Sequence, residues 1–264
     1  MKDLKKILDM SDELDHFCQR LKLIKENYNL MPGENSIIII INCLDDHCTI
    51  VSSYIKRELQ SLFSTSHKDA SKTITVDAVY EKRLFGGLFL PEVKTYESLI
   101  PAVHHIPAKK DRKVLVLNFT HIGYNAKNRK WGNFIRYGHK EPSHSCGAVQ
   151  MLFKRIIEGR ELPADHDLNR LGSYLASIAK KYNIKPVKSG KDILQLTYYA
   201  YKENLPWIKD QLRLLALEEK TDVIYLGGLE IDVNKGESGV LNDRIAVLDN
   251  FYINSKGVRM VEEA

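Results

Sequence analysis

Cysteine is scarce in this chain: Cys18, Cys43, Cys48 and Cys146 are the four among 264 residues. Four sulfurs over that length do not make a disulfide scaffold. Tryptophan is rarer, at two residues, and proline stops at eight, which excludes a proline-rich or low-complexity chain. No apolar run approaches the ~20 residues of a membrane helix. The opening MKDLKKILDMSDELDHF is too charged for a secretory signal. Neither sign of charge dominates, with 39 basic against 34 acidic residues and a formal net charge of +5. So mild an excess favours anionic small molecules over nucleic acid as partners. These absences lead us to expect a cytoplasmic, reducing setting and no membrane partner. There the cysteines are free to serve as buried apolar groups, metal ligands or nucleophiles.

What is present is an ordinary globular composition. It is 44% apolar and 28% charged, enough for a sizeable core and too apolar for disorder. Residues 3–28 carry Leu4, Ile7, Leu8, Leu14, Phe17, Leu21 and Ile24 at helical spacing, which predicts one or two amphipathic helices. Met31-Pro32-Gly33-Glu34-Asn35 is a break. Five consecutive isoleucines, Ile37 to Ile41, predict a strand covered on both faces, the mark of a parallel sheet. A helix is expected over 48–63, with Asp45-Asp46 at its start. Thr73 to Val79 reads as a second strand and 82–108 as a long irregular loop with short helical turns. Val114 to Phe119 reads as a third buried strand ending at Thr120-His121. Ser143 and Ser145 offer N-caps to a helix that follows. Two more helices are expected over 165–182 and 190–219, a strand over Val223–Leu226, and another over Arg244–Leu248. Such alternation predicts an α/β fold with a mainly parallel β-sheet flanked by helices. We expect an N-terminal helical segment, 1–34, and one α/β domain, 35–264.

In open sheets of this kind, sites gather beyond the carboxyl ends of the strands. Cys43 directly follows the first predicted strand, and His121 the third. Cys146 stands at a predicted helix N-terminus, where the dipole favours a thiolate. Thiolates and an imidazole are a zinc set, and three protein ligands leave one position for water. Such a metal lowers the pKa of its water to about 7. Taken alone, each cysteine is more often a buried small apolar group than a ligand, and the histidine more often a loop hydrogen-bonder. No CxxC or HxxxH joins them.

Three stretches carry a likeness to a known family. They are Asn42-Cys43-Leu44-Asp45-Asp46; Leu84-Phe85-Gly86-Gly87-Leu88 through His104-His105-Ile106-Pro107 to His121-Ile122-Gly123; and Ser145-Cys146-Gly147-Ala148. With Val223 to Ile231, they resemble the limiting-CO2-inducible protein B/C family, carbonic anhydrases similar in fold to the β class. The likeness spans about residues 35–255. It implies a β-carbonic-anhydrase-like fold, Zn2+ on Cys43, His121 and Cys146, carbon dioxide and bicarbonate as substrates, and a homodimer. It also implies that Asp45 takes or orients the proton of the metal's water. The β-class pattern places an arginine two residues after that aspartate, where this chain has His47. Arg83 is the candidate replacement. An Asp45 without its arginine is able to swing onto the metal and close the open position.

Phe85, Gly86, Gly87 and Leu88 are the expected walls of the substrate pocket, with Phe89 beside them. The glycines lack a phosphate-loop pattern and are expected to turn the backbone close to the metal. His105 is the candidate proton relay; its equal alternative is a histidine bonded to a loop carbonyl. Lys127, Arg129, Lys130, Arg136, His139 and Lys140 interleave with Trp131, Phe134 and Tyr137. That mix suits single-stranded nucleic acid, but we favour a solvated loop packing on a second subunit. Two other functions stay open: a non-catalytic zinc protein acting in assembly or bicarbonate sensing, and a thiol enzyme using Cys146 with His121 or His144 as base.

Overall fold

β-Branched side chains lose rotamer freedom in a helix and pack well on a pleated surface, and the isoleucine run does form an extended strand. A computed structural model describes residues 2–32, 34–43, 46–63, 79–90, 93–106, 111–132, 134–135, 142–143, 146–163, 165–184, 190–233 and 243–260. The chain opens with α1 (Lys2–Asp9), a two-residue β1 (Asp12–Glu13) and α2 (Leu14–Asn27). Then come β2 (Ser36–Cys43), α3 (Asp46–Phe63) and β3 (Val79–Leu84). Two 3-10 turns, Phe85–Gly87 and Thr95–Ser98, and the short α4 (Ile100–Val103) lead to β4 (Lys113–Asn125). Three two-residue strands follow: β5 (Lys130–Trp131), β6 (Phe134–Ile135) and β7 (Pro142–Ser143). The remainder is α5 (Gly147–Ile157), α6 (His166–Lys181), α7 (Gly190–Glu219), β8 (Asp222–Val233), β9 (Arg244–Ile253) and β10 (Arg259–Met260).

The main sheet runs β1-β9-β8-β4-β2-β3, with β10 on β9 and β5 on β4. Four adjacent strands, β3, β2, β4 and β8, are mutually parallel. β9 closes one side antiparallel to β8. This is the α/β fold, with a mainly parallel sheet flanked by helices, that the sequence predicts. No helix among the described residues is long and apolar enough to cross a membrane.

The two faces of the isoleucine strand separate by period two, as a pleated strand requires. Ile37, Ile39 and Ile41 share a core with Val114, Val116, Val223 and Tyr225, covered by Leu205, Ile208, Leu212 and Leu215 of α7. Ile38 and Ile40 share another with Leu115, Leu117, Ile224 and Leu226, covered by Phe17 and Leu21 of α2 and Ile55 and Leu59 of α3. Both faces are dry, so the uninterrupted apolar run is what the architecture demands.

Three expectations need correction. β4 does not stop at Thr120-His121, and β8 does not stop before Gly227-Gly228. Their polar second halves pair with each other, Thr120 with Leu229, His121 with Glu230 and Gly123 with Asp232. The backbone ladder runs on to Tyr124 and Val233, and the buried His121 meets the Asp232 carboxylate across it, so the strands continue where the unbroken apolar run ends. Of the strand expected over Thr73 to Val79, residues 73–78 lie outside the described residues; β3 runs on from Val79 to Leu84. The irregular stretch expected from residue 82 therefore begins only after Leu84.

Candidate functional site

Cys43 is the last residue of β2, beside Leu84 of β3. His121 lies within β4, not after it. Cys146 occupies the N-cap position of α5, with φ −48° and ψ 129°. The expected caps differ: Ser143 belongs to β7, and Ser145 lies outside the described residues. A strand end, a strand interior and a helix start thus aim three donors at one point. Their ligand atoms all lie within 4.8 Å of one another. The Cys43 and Cys146 sulfurs are 2.9 Å apart. Cys43, His121 and Cys146 are 1%, 0% and 1% exposed. Among the described residues, no other group of three histidine, cysteine or carboxylate side chains converges in this way.

Two thiols at this distance cannot both ionise in a dry site without a counter-charge. The hydrogen bond to Cys43, then burial, hold the Cys146 thiol well above the usual cysteine range, and His121 only partly offsets them. The imidazole is itself held from behind: His121 Nδ1 lies 2.8 Å from Asp232 Oδ2, with side chains 0% and 2% exposed. Glu230, in register with His121 on β8, is also buried. Burial, then the neighbouring Asp232 carboxylate, push it well above the usual carboxylate range. Asp243, likewise buried, accepts the Val233 backbone N–H at 2.8 Å.

The other walls are apolar. Cys43 and Cys146 share a cluster with Leu88, Val149, Leu152 and Phe153. Gly86 and Gly87 both have φ near +67°, a region that L side chains avoid. A Cβ on Gly87 would stand 2.6 Å from the Phe119 carbonyl oxygen, so the turn lies directly on β4. The Gly87 carbonyl in turn accepts the Asn118 Nδ2 at 2.8 Å.

The remaining sequence candidates are placed as follows. Asp45 and His144 lie outside the described residues, as does the side chain of Phe85. Arg83, beside Asn42 in register, has its Nε 3.2 Å from Glu81 Oε1, a carboxylate that Ser52 also reaches. His105 is exposed and rests on the Tyr80 ring at 5.1 Å. Tyr80 precedes Leu84 by four residues on β3, about 13 Å along a strand, so His105 stands apart from the three donors. His104 pairs with Glu219 at 3.1 Å. Phe89 turns away from the cysteines into the α7 core. Trp131 packs on Tyr124 at 5.0 Å, although Lys127, Arg129 and Lys130 beside it are exposed. Cys18 is buried in α2.

Asp232 and Glu230 are the residues that sequence reasoning missed. Their signal was present in Leu229-Glu230-Ile231-Asp232-Val233. Acidic residues alternate there with apolar ones, and two carboxylates on one side of a strand in a buried sheet require a partner.

The model of limiting CO2-inducible proteins B/C beta carbonic anhydrases matches residues 97–249, which include His121 and Cys146. No curated protein matches the chain. Among solved structures, the chain resembles PtLCIB4, a homolog of the limiting CO2-inducible protein LCIB. The TM-score is 0.69 at 14% identity, covering 97% of each chain. It also resembles LCIB itself, with a TM-score of 0.59 at 14% identity, covering 99% of this chain and 97% of the other. These two likenesses concern the fold. The family match covers more than half of the sequence, and by it the chain belongs to the limiting CO2-inducible proteins B/C beta carbonic anhydrases.

Proposed function

We propose that this chain is a zinc-dependent carbonic anhydrase interconverting carbon dioxide and bicarbonate, with Cys43, His121 and Cys146 as the metal ligands. The observation that carries the reading is the convergence of those three donors in a dry site. The residues fit the ion. Two sulfurs and one imidazole are a borderline-soft set that zinc accepts, with a fourth position left over. A dication also supplies the counter-charge that two adjacent buried thiols otherwise lack. When bound, zinc supplies a nucleophilic oxygen from water at neutral pH.

The chain's own residues do the rest. Asp232 holds His121 in place. Leu88, with Val149 and Phe153 around the cysteines, offers an apolar surface to an apolar substrate, and Gly86-Gly87 bring backbone close to it. Asp45, two positions after Cys43, takes or orients the proton, and Arg83 substitutes for the arginine that His47 replaces. The protein acts in the cytoplasm as a homodimer.

Metal analysis and a carbon dioxide hydration assay test this. The purified protein is expected to carry one zinc per chain and to hydrate carbon dioxide. Cys43→Ser and His121→Ala are expected to lose both. Activity that survives both substitutions would falsify the assignment.

His47 motivates a second reading, a non-catalytic zinc protein acting in assembly or bicarbonate sensing. Stoichiometric zinc without turnover from mildly acidic to mildly alkaline pH would favour it. A thiol enzyme built on Cys146 fits poorly, because the hydrogen bond to Cys43 and then burial push that thiol well above the usual cysteine range, and the thiolate is the nucleophile.

A further inference from the structure

We infer that Asp232 is a positioning residue for the metal site, fixing through its hydrogen bond which nitrogen of His121 faces the two cysteine sulfurs. The inference rests on the proposed reading of Cys43, His121 and Cys146 as metal ligands. An imidazole presents two nitrogens, and a ligand histidine must offer one as a lone pair while the other carries the proton. Here Nδ1 lies 2.8 Å from Asp232 Oδ2. A carboxylate accepts and cannot donate, so Nδ1 carries the proton and Nε2 is left to face the sulfurs.

The pair is built into rigid structure. His121 stands on β4 and Asp232 on β8, neighbouring parallel strands in continuous register from Lys113–Asp222 to Tyr124–Val233. Neither side chain has more than 2% exposure, so water does not compete for the bond. A donor orientation set by two paired strands varies little, which is what a fixed coordination geometry needs. The carboxylate also makes the opposite nitrogen a better donor to a cation.

The test uses the full chain and its Asp232→Asn variant. Asparagine keeps the volume and an accepting oxygen but removes the charge. Zinc affinity is read by competition with a chromogenic chelator, and Co2+ is substituted to report the thiolates by their charge-transfer absorption. The variant is expected to bind zinc about 10- to 100-fold more weakly. Its thiolate-to-cobalt absorption should stay that of the parent, because both sulfurs remain. Equal zinc affinity in the two proteins overturns the inference and leaves the metal site standing. A parent chain that binds no zinc overturns both together. If the variant does not fold, 15N spectra of the zinc-loaded parent decide. His121, assigned by its loss in His121→Ala, is expected to show a protonated Nδ1 and a metal-shifted Nε2. The reverse pattern overturns the inference.

Discussion

Single residues set the geometry here, and Gly87 shows how. Its left-handed backbone alone would cost an L side chain about 1–2 kcal/mol. A Cβ would also press on the Phe119 carbonyl oxygen at 2.6 Å, whereas the nearest atom to one on Gly86 is a Val149 methyl at 3.4 Å. Gly87→Ala should therefore lower the denaturant midpoint more than Gly86→Ala does, although both positions share φ +67°. Equal midpoints would mean that the turn gives way more easily than its contacts imply. At this scale the sequence was partly legible. Cys43 and Cys146 stand where a strand end and a helix start were read. His121 was singled out as following a strand, whereas it lies inside one. Asp232 went unread because a carboxylate is informative only once its partner is known, and that partner lies 111 residues away.

Secondary elements show a regularity of their own along α7. Asn204, Gln211 and Glu218 recur every seven residues, two helical turns, and so lie on one stripe. Each holds the segment between β3 and β4. Asn204 accepts the Phe89 N–H at 2.9 Å and donates to its carbonyl. Gln211 accepts the Tyr96 N–H at 3.3 Å, and Glu218 accepts the Tyr96 hydroxyl at 2.8 Å. Side chains of α7 thus satisfy the backbone of Phe89 and the Tyr96 N–H, while Asn118 of β4 donates to the Gly87 carbonyl, so this segment is held without pairing as a strand. Asn204→Ala would strand two buried groups and should destabilise the fold by about 1–3 kcal/mol, measured by urea unfolding. Elements with strong periodicity were legible: the isoleucine strand, α6 and α7 appear close to where the pattern placed them. The ends of β4 and β8 were not, since polar residues ordinarily mark a strand's end and here they face each other across the sheet.

For the molecule as a whole, phenols that are buried or half-buried define an alkaline limit. Burial is the leading cause that lifts Tyr174, Tyr225 and Tyr252 above the usual 10.0. The Cys18 thiol is pushed up to about 12, first by burial and then by Glu58 and Asp15. Each group stays protonated in the folded chain while its unfolded counterpart ionises. Their contribution is complete below the unfolded values and is lost as pH rises through the folded ones. Melting temperature should thus hold near neutral pH and fall steeply towards about pH 11; a flat profile would show these groups to be more accessible than their burial states. The sulfurs of Cys43 and Cys146, 103 positions apart in sequence, add a further consequence. A permanent cross-link around a loop of ~100 residues trims the configurational freedom of the denatured chain by about 4.7 kcal/mol at 25 °C. An ion held between those two atoms would be a reversible cross-link of the same span, and the heat resistance of this protein would then follow the supply of ions around it.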